Sequence, residues 1–221
     1  MERIFVVGDI HGCSRTFRKL VLEEINLQRT DELYCLGDYV DRGPDSKGVI
    51  DFILDLQADG YSVKTLRGNH DQMMMESGQD NEHFLHWARN GGLQTLDSFG
   101  IQNYSQLESK YKTFFYETAY YYEVGKYILV HAGLNFHADD PFADTESMMW
   151  IRGFKVNDQK LGDRIIVHGH TPIPLNVILT QRGENIIDID GGCVYTRFEG
   201  MGHLVALDLV AEEFIAVPNV E

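Results

Sequence analysis

Histidine, aspartate and asparagine side chains cluster in five short loops of the sequence, and an apolar run precedes each loop. These loops carry Asp9 and His11, Asp38 and Asp41, Asn69 and His70, His131, and His168 and His170. Carboxylate, imidazole and amide ligands suit first-row divalent ions such as Mn²⁺, Fe²⁺ or Zn²⁺ better than Ca²⁺. The set is larger than one tetrahedral zinc ion needs, and a carboxylate can bridge two ions. The pattern therefore predicts a pair of metal ions, which suits displacement reactions at phosphorus.

Two arginines could complete such a site by binding the substrate. Arg42 directly follows Asp41, and Arg152 lies two positions after Trp150. A guanidinium group presents a planar fork of donors that matches the oxygens of a phosphate group. A metal pair with two such arginines predicts a hydrolase that acts on phosphate esters.

Strands must hold these loops together, and the first half of the chain repeats one arrangement three times. Apolar runs at 4–7, 33–36 and 63–66 each lead through a polar loop into a helical pattern. Strands that alternate with helices indicate a largely parallel sheet. Functional groups of such sheets collect beyond the carboxyl ends of the strands, where these polar residues lie.

The second half of the chain predicts shorter elements. Residues 80–112 have a helical pattern interrupted by Asn90-Gly91-Gly92, and Gly125-Lys126 predicts a hairpin turn between strands at 118–124 and 127–130. Further strands are expected at 165–167, 177–179, 186–188, 204–209 and 214–217. The two halves together predict an α/β fold in which a two-sheet β-sandwich is flanked by α-helices, as one domain over residues 1–221.

The composition indicates a globular protein, because 43% of the 221 residues are hydrophobic and 24% are charged. The 34 acidic and 19 basic residues give a net charge of −15, which opposes stable binding to nucleic acid or to anionic lipid. We expect no signal peptide and no membrane span. Three widely spaced cysteines provide neither a disulfide framework nor a zinc knuckle. A cytoplasmic protein is the expectation.

Three glycine-bounded motifs follow one another in the chain: Gly8-Asp9-Ile10-His11-Gly12, Gly37-Asp38-Tyr39-Val40-Asp41-Arg42-Gly43 and Gly68-Asn69-His70-Asp71. His131-Ala132-Gly133-Leu134 and Gly169-His170-Thr171-Pro172 come later. Together they resemble the signature of the phosphoprotein phosphatase family of calcineurin-like metallophosphoesterases, over roughly residues 4–193. Asp71 and Ala132 depart from the residues of many members, and neither is an expected ligand.

The bacterial and bacteriophage branch of that family, which includes the lambda-type serine/threonine protein phosphatases, resembles the chain most. Two segments carry this resemblance, Trp150-Ile151-Arg152 and Asp190-Gly191-Gly192-Cys193-Val194-Tyr195. The second of these lacks the Ser-Ala-Pro-Asn-Tyr stretch of eukaryotic members.

The resemblance implies a role for each motif residue. Asp9, His11 and Asp38 would hold one ion, and Asp38 would bridge it to a second ion held by Asn69, His131 and His170. His70 would protonate the leaving group while Asp41 holds its ring. The phosphate would be bound by Arg42, Arg152 and Asn69. A hydroxide bridging the ions would attack phosphorus directly, and the expected cofactor is two Mn²⁺ ions, with Fe or Zn as alternatives.

The resemblance favours a serine/threonine protein phosphatase, whose partner is a phosphorylated protein or peptide. The alternative is a symmetrical dinucleoside (diadenosine) tetraphosphate hydrolase, which shares the motifs and cleaves an anhydride. The chain is shorter than we expect of those enzymes. A binding protein on an inactivated scaffold should have lost site residues, and a structural zinc site should be closed and rich in thiolates. The sequence disfavours both of these other classes.

A few residues receive other assignments. His168 is expected to end its strand rather than to bind metal, and His83 and His86 are expected on a helix surface. Cys13 is either a buried small residue or a redox-sensitive thiol beside the first metal loop. The sequence leaves open the native metal, the physiological substrate, any phosphotyrosine activity and the oligomeric state. Residues 80–112 and 137–149 are the candidate substrate-facing surface.

Overall fold

The computed structural model describes residues 3–221, and its first strands follow the repeat seen in the sequence. Strands β1 (Ile4–Val7), β2 (Glu32–Cys35) and β3 (Ser62–Thr65) are parallel neighbours. Helix α1 (Ser14–Lys19), prolonged by a π-helical turn at Leu20–Glu24, follows β1. Helices α2 (Ser46–Ala58) and α3 (Asn69–Glu76) follow β2 and β3. The predicted strand–loop–helix repeat is confirmed.

A helical segment then connects the two halves of the chain. Helix α4 (Asn81–Trp87) passes through a π-helical turn at Ala88–Gly92 into α5 (Leu93–Phe99). A 3₁₀ turn at Tyr104–Gln106 and helix α6 (Ser109–Glu117) complete it. The helical prediction for this region is confirmed. The ring of His83 pairs with Asp80 at 2.8 Å and His86 is exposed, so both lie on the helix surface as expected.

The second half supplies a further set of strands. β4 (Tyr121–Val124) and β5 (Tyr127–Val130) form the predicted hairpin, and Gly125 at the turn has a φ of +57°. Helices α7 (Thr145–Trp150) and α8 (Asp158–Leu161) separate β5 from β6 (Ile165–His168). Strand β6 pairs in parallel with β5 and with β7 (Ile186–Asp188). The strand expected near 165–167 ends at His168, as the sequence indicated.

The strand expected at 177–179 is wrong, because this segment begins a short helix, α9 (Leu175–Ile178). Pro174 stands at its N-terminal boundary with a φ of −58°, and the amide groups of Val177 and Ile178 both donate to its carbonyl. Ile178 is buried while Val177 and Leu179 are about half exposed. One inward side chain in three fits a helical turn on the surface better than a buried strand.

Strands β8 (His203–Asp208) and β9 (Glu213–Pro218) complete two mixed sheets, ordered β3-β2-β1-β8-β9 and β4-β5-β6-β7. Alternate side chains of each strand point to opposite faces of its sheet. Val6 of β1 packs in the layer between the sheets, with Leu129 and Val167 from the second sheet. Phe5 and Val7 face the layer of helices instead. The fold is the expected α/β two-sheet sandwich flanked by helices.

None of the helices within residues 3–221 combines the length and the apolar character that crossing a lipid bilayer requires.

Candidate metal centre

Each sheet contains three parallel strands, and all six direct their carboxyl ends to one edge of the sandwich. The loops after β1, β2 and β3 carry the three glycine-bounded motifs, and those after β5, β6 and β7 carry His131, His170 and Asp190. Backbone hydrogen bonds tie neighbouring loops together: the amide of His11 donates to the Asp38 carbonyl at 2.8 Å, and that of Gly169 donates to the His131 carbonyl at 2.8 Å. Chain segments that are far apart in sequence thus meet in one buried site.

The backbone of this site lies in an uncommon conformation. Positive φ values between 46° and 73° occur at His11, Asp38, Asp41, Arg42 and His170. Each such residue costs of order 1–3 kcal/mol, and the conformation persists where surrounding contacts determine it. A Cβ atom at position 68 would lie 2.3 Å from the Asp38 amide nitrogen, so only glycine fits there. Strain gathered at one edge of the sandwich is typical of a functional site.

Asp38 lies between two groups of metal-binding side chains. Ligand atoms of Asp38, His11 and His70 lie within 4.8 Å of one another, and so do those of Asp38, His131 and His170. Its Oδ2 atom is 3.5 Å from His11 Nε2, and its Oδ1 atom is 3.5 Å from His131 Nε2. One carboxylate therefore faces each group with a different oxygen, which is the arrangement that a bridging ligand needs.

Asn69 and two histidines present a cluster of hydrogen-bond acceptors. His131 Nδ1 can only donate to the Leu36 carbonyl, 3.0 Å away, so the Nε2 of the neutral ring carries a lone pair. This lone pair faces Asn69 Oδ1 at 3.1 Å, and His170 Nδ1 lies 2.9 Å from the same oxygen. The buried Nε2 of His170 has no hydrogen-bond partner within residues 3–221. With the amide in this orientation, the Asn69 oxygen and the His131 lone pair face each other as two acceptors, which a cation would satisfy.

The charge state of these groups also fits divalent cations. Burial raises the pKa of Asp9 well above its ordinary value, and the nearby Asp190 and Asp38 carboxylates raise it further. Burial lowers the pKa of His170 to about 3, which keeps its ring neutral. Crowded buried carboxylates repel one another, and neutral imidazoles are the form that binds metal. The donor set therefore fits two divalent ions.

His70 stands apart because a network of buried groups orients its ring. His70 Nδ1 lies 2.7 Å from Asp41 Oδ2. The same carboxylate accepts hydrogen bonds from Trp87 Nε1, at 2.9 Å and 3.0 Å, and from Thr95 Oγ1 at 2.7 Å. Burial raises the pKa of Asp41, while the hydrogen bond with His70 lowers it. With Nδ1 engaged, only the Nε2 atom of His70 is free to act on a bound molecule.

The two arginines differ in burial and in the side chains that they contact. Arg42 is half-buried, and its Nη1 donates to His11 Nε2 at 2.8 Å. Arg152 is exposed, and its Nη1 donates to Thr171 Oγ1 at 2.8 Å, beside His170 in the chain. His168 lies outside both groups of possible ligands, and its Nδ1 contacts the Gly169 carbonyl at 3.0 Å.

Two residues that build the site received no role from the sequence. Asp71 is buried, and its carboxylate accepts hydrogen bonds from the amides of Asp38, Tyr39 and Gly68, which fixes the second and third loops together. Asp190 is buried beside Asp9, at the end of the sixth parallel strand. Functional groups collect beyond the carboxyl ends of parallel strands, and this rule, which located the other five loops, also identifies Asp190 as a candidate site residue.

The chain belongs to the calcineurin-like phosphoesterase family, whose model matches residues 2–206. Members of this family use divalent metals, which agrees with the donor set described above. The chain is therefore a metallophosphoesterase by fold and by family.

Individual relatives carry different activities in their names. The bis(5'-nucleosyl)-tetraphosphatase PrpE (asymmetrical) of Anoxybacillus flavithermus is 27% identical over 249 residues, which cover 97% of this chain and 93% of that protein. Serine/threonine-protein phosphatase 1 of Salmonella typhimurium is 36% identical over 91 residues, or 41% of this chain and 39% of that protein. A solved structure described as a putative diadenosine tetraphosphatase shares the fold with a TM-score of 0.67, at 22% identity over 100% of this chain and 95% of that one.

Proposed function

We propose that the chain is a hydrolase that cleaves phosphate P–O bonds with two divalent ions, of which Mn²⁺ is the first candidate. The observation that carries this proposal is the position of Asp38, whose two carboxylate oxygens face two separate groups of ligands. Asp9 and His11 would complete one ion site, and Asn69, His131 and His170 the other. When bound, such a pair lowers the pKa of water and neutralises charge on the phosphoryl oxygens.

His70 supplies a proton to the leaving oxygen in this proposal. Its Nδ1 is held 2.7 Å from Asp41, which orients the ring and aims Nε2 away from the carboxylate. Trp87 and Thr95 in turn hold Asp41, so the ring cannot rotate without breaking buried hydrogen bonds. Asp41 is thus a positioning residue, and His70 is the catalytic residue.

Arg42 and Arg152 bind the phosphate oxygens in this proposal, together with Asn69. Arg42 already lies at hydrogen-bond distance from the His11 ring, and Arg152 lies near the His170 loop. Guanidinium groups on two sides of the metal pair would orient the phosphoryl group for in-line attack.

Replacing Arg42 with alanine is expected to weaken inhibition by orthophosphate and vanadate about tenfold to hundredfold, the range for a charged hydrogen bond. Inhibition constants and metal content per chain should be measured on the same preparation, because Arg42 also contacts a proposed ligand. Arg29→Ala, at the opposite end of strand β2, is the matched control. Unchanged inhibition by both anions would remove Arg42 from phosphate binding.

Two substrate classes are supported by relatives, and dinucleoside tetraphosphates come first. The PrpE relative matches over nearly its whole length, whereas the Salmonella phosphatase matches over 91 residues. Phosphoproteins came first on the sequence alone, partly because the chain is short. That length argument concerned the symmetrical enzymes and does not extend to asymmetrical ones, since 93% of a protein named as an asymmetrical tetraphosphatase aligns with this chain. Phosphoserine and phosphothreonine in proteins are the second candidate, and the dinucleotide class includes both symmetrical and asymmetrical cleavage.

The test compares diadenosine tetraphosphate with phosphoserine and phosphothreonine peptides by kcat/KM, on enzyme reconstituted with Mn²⁺. We expect the dinucleotide to be preferred, and chromatography of the products to distinguish ATP plus AMP from two ADP. Enzyme treated with a chelator is the control, and activity should return with added Mn²⁺. Preference for the peptides would restore the phosphatase ranking. No hydrolysis of any of these substrates by chains that hold two ions would contradict the proposal.

A further inference from the structure

A cleft of about 390 Å³ adjoins the metal centre on the side of Arg42. Its walls include Arg42, Arg89, Asn90, Gln94 and Tyr195, and we call it the Arg89 cleft. Only Arg42 among these residues belongs to the site proposed above. The other walls come from the turn between α4 and α5, from the first residues of α5 and from the loop after β7.

The chain reaches this cleft by a bend that depends on glycine. Gly91 has a φ of +107° within the turn between α4 and α5, and its carbonyl accepts a hydrogen bond from the Arg42 amide at 3.3 Å. A Cβ atom at position 91 would lie 2.8 Å from both the backbone nitrogen and Cγ of Arg42. The backbones therefore touch, and Arg89 is brought to the cleft by the same segment that brings Trp87 to Asp41.

The cleft is cationic in a chain whose net charge is −15. Its walls carry two guanidinium groups and, among the described residues, no carboxylate. Arg89 is exposed and forms no ion pair with any residue in 3–221. Arg42 lies over the Tyr195 ring at 5.6 Å, which restrains the direction of its guanidinium. Two arginines facing one cleft at the edge of a phosphate site form a site for a second anion.

We propose that the Arg89 cleft binds the phosphate next to the one that is cleaved, so that the preferred substrates contain a phosphoanhydride chain. This inference rests on the proposed function and narrows its substrate class. Arg42 would contact the reacting phosphate and Arg89 the following one. The side chains of Asn90 and Gln94 add polar groups along the same wall. A phosphoserine peptide offers no second phosphate at this position and would gain nothing from Arg89.

The first experiment compares diadenosine tetraphosphate with p-nitrophenyl phosphate, which carries one phosphate only. Arg89→Ala is expected to lower the ratio of the two kcat/KM values about tenfold to hundredfold, because one charged hydrogen bond is lost to the anhydride chain alone. Arg89→Lys should recover part of the ratio, since charge is kept and the fork is lost. Arg29→Ala removes the same charge from the opposite end of the sheet and should leave the ratio at the wild-type value. An unchanged ratio in Arg89→Ala would overturn the inference.

A binding measurement separates this inference from the proposed function. Calorimetric titration with methylenediphosphonate and with methylphosphonate, at a fixed free Mn²⁺ concentration, requires no turnover. We expect Arg89→Ala to weaken binding of the diphosphonate about tenfold and to change that of the monophosphonate much less. Equal weakening of both ligands would assign Arg89 to the shared phosphate site and contradict the second one. Wild-type protein that discriminates between these ligands and hydrolyses nothing would contradict the proposed function alone.

Discussion

Replacing His70 with asparagine is expected to lower kcat by about two to four orders of magnitude, the range for loss of a general acid. Asparagine keeps a polar side chain near Asp41 but carries no proton that titrates in the working range. The metal content should stay at two ions per chain, because the proposal gives His70 no place among the ligands. The measurement is kcat on a substrate with a poor leaving group, together with elemental analysis of the same sample.

The structure makes metal content the decisive part of that experiment. A nitrogen of His70 lies within 4.8 Å of the ligand atoms of His11 and Asp38, so His70 could itself bind an ion. Loss of one ion in His70→Asn would make it a ligand rather than an acid. His86→Asn, an exposed histidine on α4, is the matched control and should match wild type in both measurements. A substrate with a good leaving group needs less protonation, so its hydrolysis should fall less.

The parts of the fold that the sequence predicted well rest on local patterns. An apolar run followed by a glycine-bounded loop and a periodic helix marks each unit of the first sheet, and Gly125 marks the hairpin. The pattern failed at 177–179, where three apolar residues resemble a strand. Pro174 begins a helix there, and only Ile178 of these three residues is buried. Burial of that segment depends on packing that three residues cannot reveal.

The same distinction applies to the site. Ligand candidates were identifiable because each follows a strand, and the parallel strands bring them together. The residues that support them are distant in sequence. Trp87 and Thr95, which donate hydrogen bonds to Asp41, follow it in the chain by 46 and 54 positions. Asp71 looked like a minor variant of a motif, yet it binds three backbone amides in two loops. Such roles depend on loop geometry, which a single sequence does not specify.

Asp38 carries the largest expected effect on metal binding. Its oxygens face His11 on one side and His131 on the other, each at 3.5 Å. Replacing it with asparagine removes the negative charge and leaves one oxygen to serve two ions, so both sites should weaken together. We expect fewer than one ion per chain after dialysis and loss of hydrolysis on every substrate. Elemental analysis and kcat/KM give the two readouts.

Thermal unfolding distinguishes lost metal from lost structure in this variant. Added Mn²⁺ should raise the Tm of wild type, because an ion that binds only the folded state stabilises it by about 2.7 kcal/mol at one hundred times its Kd. Asp38→Asn should lack that increase. In the presence of a chelator the Tm of Asp38→Asn should stay near that of wild type. The His70 amide donates a hydrogen bond to Asp38 Oδ1 at 2.9 Å, and the asparagine oxygen can still accept it. Asp55→Asn, on the exposed face of α2, should keep both the ions and the Mn²⁺-dependent increase. Two ions retained by Asp38→Asn would show that each metal site is complete without a shared carboxylate, and the bridging assignment would then fail.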